Sequence, residues 1–373
     1  MEAATLQNEK PQWDLESSQT SEAKSASITA FPDCLLDGSN ASISEVKLGV
    51  PSGMDQGSRV KAIDLNQSHA STASSSGGRR DWAETIVACR DVKLKGEDRF
   101  TTKREVINGQ RVVFCMVADG HNSSDAAEYC KKHILSFIVE ACLGHASAHA
   151  IQDACVIAFH KVHEHIRTKS AWPTSGLTLA VVAVNEDERF VVCANVGDVE
   201  SLIVLGKDRK KRSRYSVLTT NHRFDKNKDE VKRVEAVTET RVRPALNFAG
   251  KPQGPPRGWP GGLLFGRALG DADCEDAISP DPSLSVMRLD ALSGNATIVI
   301  GSDGLWNAVE MTRVACHVHQ AQKTRQDATR TAQMLVDKAC NGDDAYHNSE
   351  WGKAKDDTTC AVMIVGPDYY LST

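Results

Sequence analysis

The sequence has no run of about 18 apolar residues, the length a membrane-spanning helix needs, so no insertion into a bilayer is expected. It has no C-x-x-C pair and no His/Cys cluster at zinc-ligand spacing, which leaves structural zinc without a ligand set. Its first residues, Met-Glu-Ala-Ala-Thr, lack a basic start and an apolar run, so no secretory signal is expected, and Glu2 excludes N-myristoylation. Strong charge of either sign is missing too. With 44 Lys and Arg against 49 Asp and Glu, the formal net charge is -5, and nothing global points to nucleic acid. There is no internal repeat.

What is present is 373 residues, enough for one large domain with tails or for two domains. Eleven cysteines, an odd number, are scattered, several inside apolar segments (Cys115, Cys142, Cys193, Cys360). Buried thiols in a reducing compartment, the cytoplasm or the nucleus, fit this better than a disulfide scaffold. Residues 1–80 are rich in Ser, Ala, Gln and Asn. They offer too little apolar area to offset chain ordering and read as a disordered tail, with Phe31 to Leu36 its one partly apolar patch. The folded part is read as 81–367, followed by a short tail, 368–373.

Periodicity places short strands at Thr85–Cys89, Gln110–Ala118, Leu177–Val184, Arg189–Asn195, Ser201–Leu205, Tyr215–Leu218, Ser283–Leu289, Ala296–Gly301 and Thr358–Val365. Helical spacing marks 123–143, where the paired serines Ser123 and Ser124 offer caps, and also 148–169, Asp229–Val237 and Asp327–Cys340. Residues 184–189 read as a hairpin loop, and the basic run Gly206 to Arg214 as a solvated hairpin tip. The segment 240–262, dense in Pro and Gly, is too long for a plain connection, and such loops are often functional. Tandem antiparallel strands broken by paired helices predict an α+β layered domain, helices outside a β-sandwich.

Four aspartates sit at strand edges: Asp119 after Val-Val-Phe-Cys-Met-Val-Ala, Asp198 in Ala-Asn-Val-Gly-Asp, Asp303 in Ile-Val-Ile-Gly-Ser-Asp, and Asp356 before the last strand. Glu97-Asp98 makes a fifth acidic point. Carboxylates crowded together repel one another unless a cation is present. If the strands bring these together, the oxygen-only donor set calls for a hard divalent ion, Mg2+ or Mn2+. Periodicity alone does not show that they converge. His160 with His163, and His317 with His319, lack a second ligand pair and read as exposed or core histidines.

In order along the chain stand Glu97-Asp98, Val117-Ala-Asp119-Gly120-His121, Ser175-Gly-Leu-Thr178, Ala194-Asn-Val-Gly-Asp198, Leu218-Thr-Thr-Asn-His222, Gly266-Arg-Ala-Leu-Gly-Asp271, Gly301-Ser-Asp303-Gly-Leu-Trp306 and Lys355-Asp-Asp-Thr-Thr359. From about Thr85 to Val365 this order resembles the metal-dependent Ser/Thr protein phosphatases, the PPM or type 2C family. The resemblance implies a four-layer α-β-β-α sandwich, two antiparallel sheets flanked by helix pairs. It implies two Mg2+ or Mn2+ ions, with Asp119 bridging them, the Gly120 carbonyl on one, Asp303 and Asp356 on the other, and Glu97 and Asp98 acting mainly through metal-bound waters. A hydroxide between the ions would attack phosphorus in line. His121 is the candidate general acid for the leaving alkoxide. The substrate implied is a phosphorylated protein, and the chain is read as a monomer.

Three positions depart from the family pattern. Lys93 stands where an Arg often holds phosphate, with Arg90 as another candidate; Lys lacks the bidentate fork. Asn307 stands where a further Asp commonly serves a third ion together with Asp198, and the lost charge speaks against that ion. Asn221 replaces the Asp before His222 and is read as structural. Arg267 and Asp271 are read as an ion pair bracing a loop, and Trp306 as core. The competing function is a catalytically weak or inactive relative that acts as a regulatory binding protein; a phosphatase for small phosphorylated molecules is a third.

Overall fold

The computed structural model describes residues 24–25, 28–30, 83–205, 214–237, 241–290, 294–342 and 354–366. The N-terminal tail reading and the patch Phe31 to Leu36 lie outside these residues, apart from two short strands. So do 206–213, which make up most of the basic run, and the C-terminal tail.

In chain order the strands are β1 (Lys24–Ser25), β2 (Ile28–Ala30), β3 (Ile86–Val92), β4 (Arg99–Ile107) and β5 (Gln110–His121). Helices α1 (Asp125–Ala141) and α2 (Ala148–Arg167) follow. Next come β6 (Gly176–Asn185), β7 (Phe190–Val196), β8 (Glu200–Leu205), β9 (Arg214–Val217), α3 (Lys228–Val237), β10 (Arg241–Leu246), β11 (Pro252–Trp259) and β12 (Leu269–Gly270). A 3-10 turn, Ala272–Ala277, leads to β13 (Ser283–Arg288) and β14 (Ala296–Gly301). The chain ends with α4 (Asp303–Trp306), α5 (Met311–Lys323), α6 (Ala328–Asn341) and β15 (Thr358–Val365).

Two sheets form, in the orders β1-β13-β7-β6-β5-β4, with β12 beside β6, and β2-β9-β8-β14-β15-β3. Side chains alternate across a strand, and the alternation builds the layers. On β5, Val113, Cys115 and Val117 join Ile203, Ile298, Ile300, Ala361 and Met363 in a core between the sheets. Phe114, Met116 and Ala118 point the other way and pack with Ile134, Ile138, Ile151 and Phe159 of α1 and α2. The second sheet sends Leu202, Val204, Val299 and Val362 outward against Val314, Val318, Leu335 and Val336 of α5 and α6. The result is the expected four-layer α-β-β-α sandwich. Strands buried on both faces lose the polar-apolar alternation, which is why β6, β7, β8 and β14 read as near-continuous apolar runs.

Several local expectations are corrected. Segment 240–262 holds an antiparallel hairpin, β10 with β11, paired from Arg241↔Trp259 to Leu246↔Pro252. Strand β4 and helix α5 were not read from the sequence. Ser124 makes no side-chain cap on α1. Instead the Ala126 amide donates to Ser175 Oγ at 3.2 Å, so a residue about fifty positions away finishes that helix. Nine described cysteines carry free thiols, eight of them buried. Cys316 is disulfide-bonded and departs from the all-thiol reading. Among the described residues no helix is long and apolar enough to cross a membrane.

Candidate active site

Odd-numbered residues of β5 face the space between the sheets, so Asp119 and His121 emerge on that side at the strand's end, opposite Thr178 and Gly176 of β6. Gly120 lies between them, and a Cβ there would stand 2.8 Å from the carbonyl oxygen of Glu97. The glycine thus admits the backbone of the first acidic segment, not only a ligand. From the second sheet, β14 ends at Gly301 and delivers Asp303 as the first residue of α4. Asp356 leads into β15, which lies next to β14. Asp198 sits in the turn between β7 and β8, one strand in each sheet.

The carboxylates converge enough to perturb one another. Burial raises the Asp119 pKa well above the usual range, and the charges of Asp98, Asp303, Asp198 and Asp356 push it further. Asp303 is raised to about 7 by burial, with Asp198 and Asp356 adding repulsion. Asp98 also rises to about 7, first by burial, against the pull of the Ser302 and Thr359 hydroxyls. Both Asp98 oxygens and Asp303 Oδ1 are buried without a partner at hydrogen-bonding geometry. Orphaned carboxylate oxygens are costly in an interior. An all-oxygen set of mutually repelling acids, with three buried oxygens on Asp98 and Asp303 unpartnered, fits a hard divalent cation.

The tightest trio of potential ligand atoms among the described residues lies elsewhere, at Asp271, Asp273 and Cys274, all within 4.8 Å of one another. It is a poor cation site. Burial drives the Cys274 thiol far up, so it keeps its proton, and Asp271 is already engaged. Its Oδ1 lies 2.6 Å from His121 Nε2. Burial opposes charging of His121, but the charge and hydrogen bond of Asp271 lift its pKa above the ordinary imidazole value. Phe265 packs beside the imidazole, ring centroids 5.5 Å apart.

Asp271 therefore does not brace Arg267, as the sequence suggested. Arg267 instead holds Glu230 at 2.8 Å and the Asp281 carbonyl at 2.9 Å. Asp271 is set by its surroundings. Its amide donates to the Ser175 carbonyl at 3.1 Å. The preceding Gly270 amide donates to His163 Nδ1 at 3.2 Å. A Cβ on Gly176 would stand 2.2 Å from the Asp271 carboxylate, so only glycine fits there.

Asp357, beside Asp356, organises the first acidic segment. Its Oδ1 accepts from the amides of Leu94, Lys95 and Gly96 at 2.6, 2.6 and 3.1 Å, and its Oδ2 from Glu97 and Asp98 at 2.6 and 3.1 Å. Five successive amides on one carboxylate fix how residues 94–98 meet the cluster. Lys95 from this loop places Nζ 2.6 Å from Asp356 Oδ2. Lys93, the expected phosphate ligand, is exposed and lies 3.7 Å from Asp91. Arg90 lies on the face of β3 that packs toward α6; it is 9% exposed, with Nε and Nη1 unpartnered.

Asp198 is buried against Arg223, Oδ2 to Nη1 3.3 Å. Asn307 turns its amide to Asp303 Oδ2 at 3.0 Å. Asn221 ties Glu200 Oε1 at 2.7 Å and accepts the Arg223 amide at 3.0 Å. His160 pairs with Asp281 at 2.6 Å, while His163, His317 and His319 are buried. Trp306 packs into the second helical layer and donates to the Gly301 carbonyl at 2.7 Å.

Asp271, Asp357, Lys95 and Arg223 are the site residues that sequence reading missed. Asp271 was visible only as part of a motif, and nothing local tied it to a histidine 150 positions earlier.

Comparison with known proteins agrees with this architecture. Residues 85–344 match the family model "Protein phosphatase 2C". The chain is 31% identical over 290 residues to "Probable protein phosphatase 2C 5" of Arabidopsis thaliana, covering 74% of this chain and 61% of that one. It is 37% identical over 259 residues to "Probable protein phosphatase 2C 69" of Oryza sativa subsp. japonica, covering 68% and 55%. The chain thus spans between half and two thirds of these relatives' length. In fold it is similar to a Caenorhabditis elegans sex-determining protein, with a TM-score of 0.58 at 17% identity over 76% of this chain and 65% of that one. It is likewise similar to a serine-threonine phosphatase 2C from Toxoplasma gondii, with a TM-score of 0.55 at 16% identity over 75% and 95%. The ordered motifs, the sandwich that gathers them at one end and the family match lead to one conclusion: this chain belongs to the protein phosphatase 2C family.

Proposed function

We propose that the chain hydrolyses phosphoserine and phosphothreonine in proteins and depends on two divalent ions, Mg2+ or Mn2+, held between the sheets. When bound, such ions lower the pKa of water and neutralise charge on a phosphoryl group. Asp119, Asp303 and Asp356 are the residues to hold them, with the Gly120 carbonyl and with Glu97 and Asp98 at the rim. His121, whose protonated form Asp271 favours, is placed to donate a proton from its ring to the departing serine or threonine oxygen. Lys95, held on Asp356, brings positive charge where a phosphate would approach.

The Arg223 guanidinium already neutralises Asp198, and Asn307 contributes an amide rather than a charge. Both features support two ions rather than three. The observation that carries this reading is the crowding of acidic side chains around Asp119, with both Asp98 oxygens and Asp303 Oδ1 buried without a partner, beside a His-Asp pair. The test is Mn2+-dependent phosphate release from a phosphothreonine peptide. Wild type should turn over, Asp119→Ala should fall to background, and thorough chelation should silence the wild type. Turnover that survives chelation, or that survives in Asp119→Ala, refutes the assignment. No turnover with any divalent ion would favour the regulatory binding protein.

A further inference from the structure

The hairpin β10–β11 carries an unbalanced charge. From Arg241 to Gly270 the chain has five cations, Arg241, Arg243, Lys251, Arg257 and Arg267, and no Asp or Glu, in a protein whose net charge is -5. Arg267 is spent on Glu230 inside the fold. Of the others, Arg243 and Lys251 are exposed on the hairpin and Arg257 is half-buried; Glu235, outside the segment, accepts the Val242 amide at 3.2 Å. The register sets Arg243 directly opposite Arg257. Directly paired residues share one face, and like charges facing each other destabilise a ribbon unless an anion lies across them.

The hairpin is joined to the active site. Its second strand packs against the 3-10 turn that starts just after Asp271. A Cβ on Gly261, just past β11, would stand 2.1 Å from Cys274 Sγ in that turn. Trp259 Nε1 donates to the Arg243 carbonyl at 3.0 Å, and Arg257 Nη1 to the Gly262 carbonyl at 2.6 Å. Phe265, a few residues on, packs beside His121. The cationic hairpin is thus joined to the turn that follows Asp271 and to Phe265 beside His121. Pro244 faces Pro256 across the ribbon, and proline has no amide to donate. An added strand is therefore poorly received there, and recognition falls to side chains.

We infer that the β10–β11 hairpin selects acidic protein substrates, reading Asp or Glu beside the phosphorylated residue through Arg243, Lys251 and Arg257. The inference rests on the phosphatase reading, and its test separates the two.

Two phosphothreonine peptides share a core and differ only in flanks of glutamate or glutamine, with p-nitrophenyl phosphate as a substrate that has no flank. Full-length wild type with Mn2+ should show kcat/KM about tenfold higher on the glutamate peptide, the effect of two or three exposed ion pairs. The preference should shrink as salt rises past about 150 mM. The doubly reversed variant R243E/K251E should abolish it, with p-nitrophenyl phosphate turnover and thermal unfolding unchanged. Equal kcat/KM on both peptides in wild type, or equal losses on both in the variant, overturns the inference.

If nothing is hydrolysed, the phosphatase reading fails, and fluorescence anisotropy of the labelled glutamate peptide decides the hairpin separately. Binding weakened about tenfold in the variant supports it, and unchanged binding overturns it. Tighter capture of single-stranded RNA or of phosphatidylserine vesicles than of the peptide, lost in the same variant, also overturns the assignment to acidic protein.

Discussion

His121 and Asp271 meet at 2.6 Å from opposite ends of a 150-residue separation, and their roles can be separated by choice of leaving group. A threonine alkoxide needs a proton to depart, whereas p-nitrophenolate is a stable anion and does not. His121→Ala should lower kcat on a phosphothreonine peptide by about a hundredfold or more and affect p-nitrophenyl phosphate much less. Asp271→Asn keeps the side-chain shape but removes the charge that favours imidazolium. It should show the same selective loss, smaller in size. A uniform loss on both substrates would assign the pair to binding rather than proton donation. Asp119, Asp198, Asp303 and Asp356 were legible as residues because each sits at the edge of an apolar strand. Their partners were not, because Asp271 sits in a left-handed turn with no periodicity of its own, φ 55°, and Asp357 is masked by its neighbour Asp356.

Among elements, the loop 94–98 depends on one side chain. With five amides on Asp357, Asp357→Ala would leave several donors unsatisfied. Hydrogen bonds to a charged group contribute about 1.5–3 kcal/mol each, so a loss of about 3 kcal/mol or more is expected. Urea unfolding measures it, and Asp357→Asn, which can satisfy only some of the donors, should fall between. The sequence made β5, β6 and β14 readable because their faces are apolar throughout. Strand β4, Arg-Phe-Thr-Thr-Lys-Arg-Glu-Val-Ile, was missed because it is a half-exposed edge with charged residues along it. Helix α5 was missed because His317 and His319 occupy buried positions, which breaks the apolar stripe. The hairpin at 241–259 was missed because its prolines suppress any strand reading, although they lie on an isolated two-stranded ribbon where proline is tolerated.

For the whole molecule, acid should be destabilising through histidines that fold neutral. Burial lowers His163 to about 4 and His222 to about 3. Both serve as neutral rings. His163 accepts the Gly270 amide, and His222 bridges the Gly197 carbonyl and Ser283 Oγ at 3.1 and 2.8 Å. The unfolded chain takes up these protons near pH 6.5 and the folded one does not, so stability falls as pH drops below about 6.5. At pH 5 each histidine costs up to about 2 kcal/mol. His163→Gln, compared with wild type in denaturant titrations at pH 7 and pH 5, should flatten that slope. An unchanged slope would show that His163 is charged in the fold.

Asp119 comes from one sheet, while Asp303 and Asp356 come from the other. A divalent ion held by these residues would act as a clasp across the sandwich, adding to polar ties such as Ser285 Oγ to the Leu218 carbonyl and Asn195 to Thr220 that already join the two slabs. Cation should therefore toughen the entire fold rather than merely switch on turnover. At a hundredfold excess over its dissociation constant, Mn2+ is expected to add about 2.7 kcal/mol against unfolding. Asp119→Asn, unfastened on one side, should gain far less.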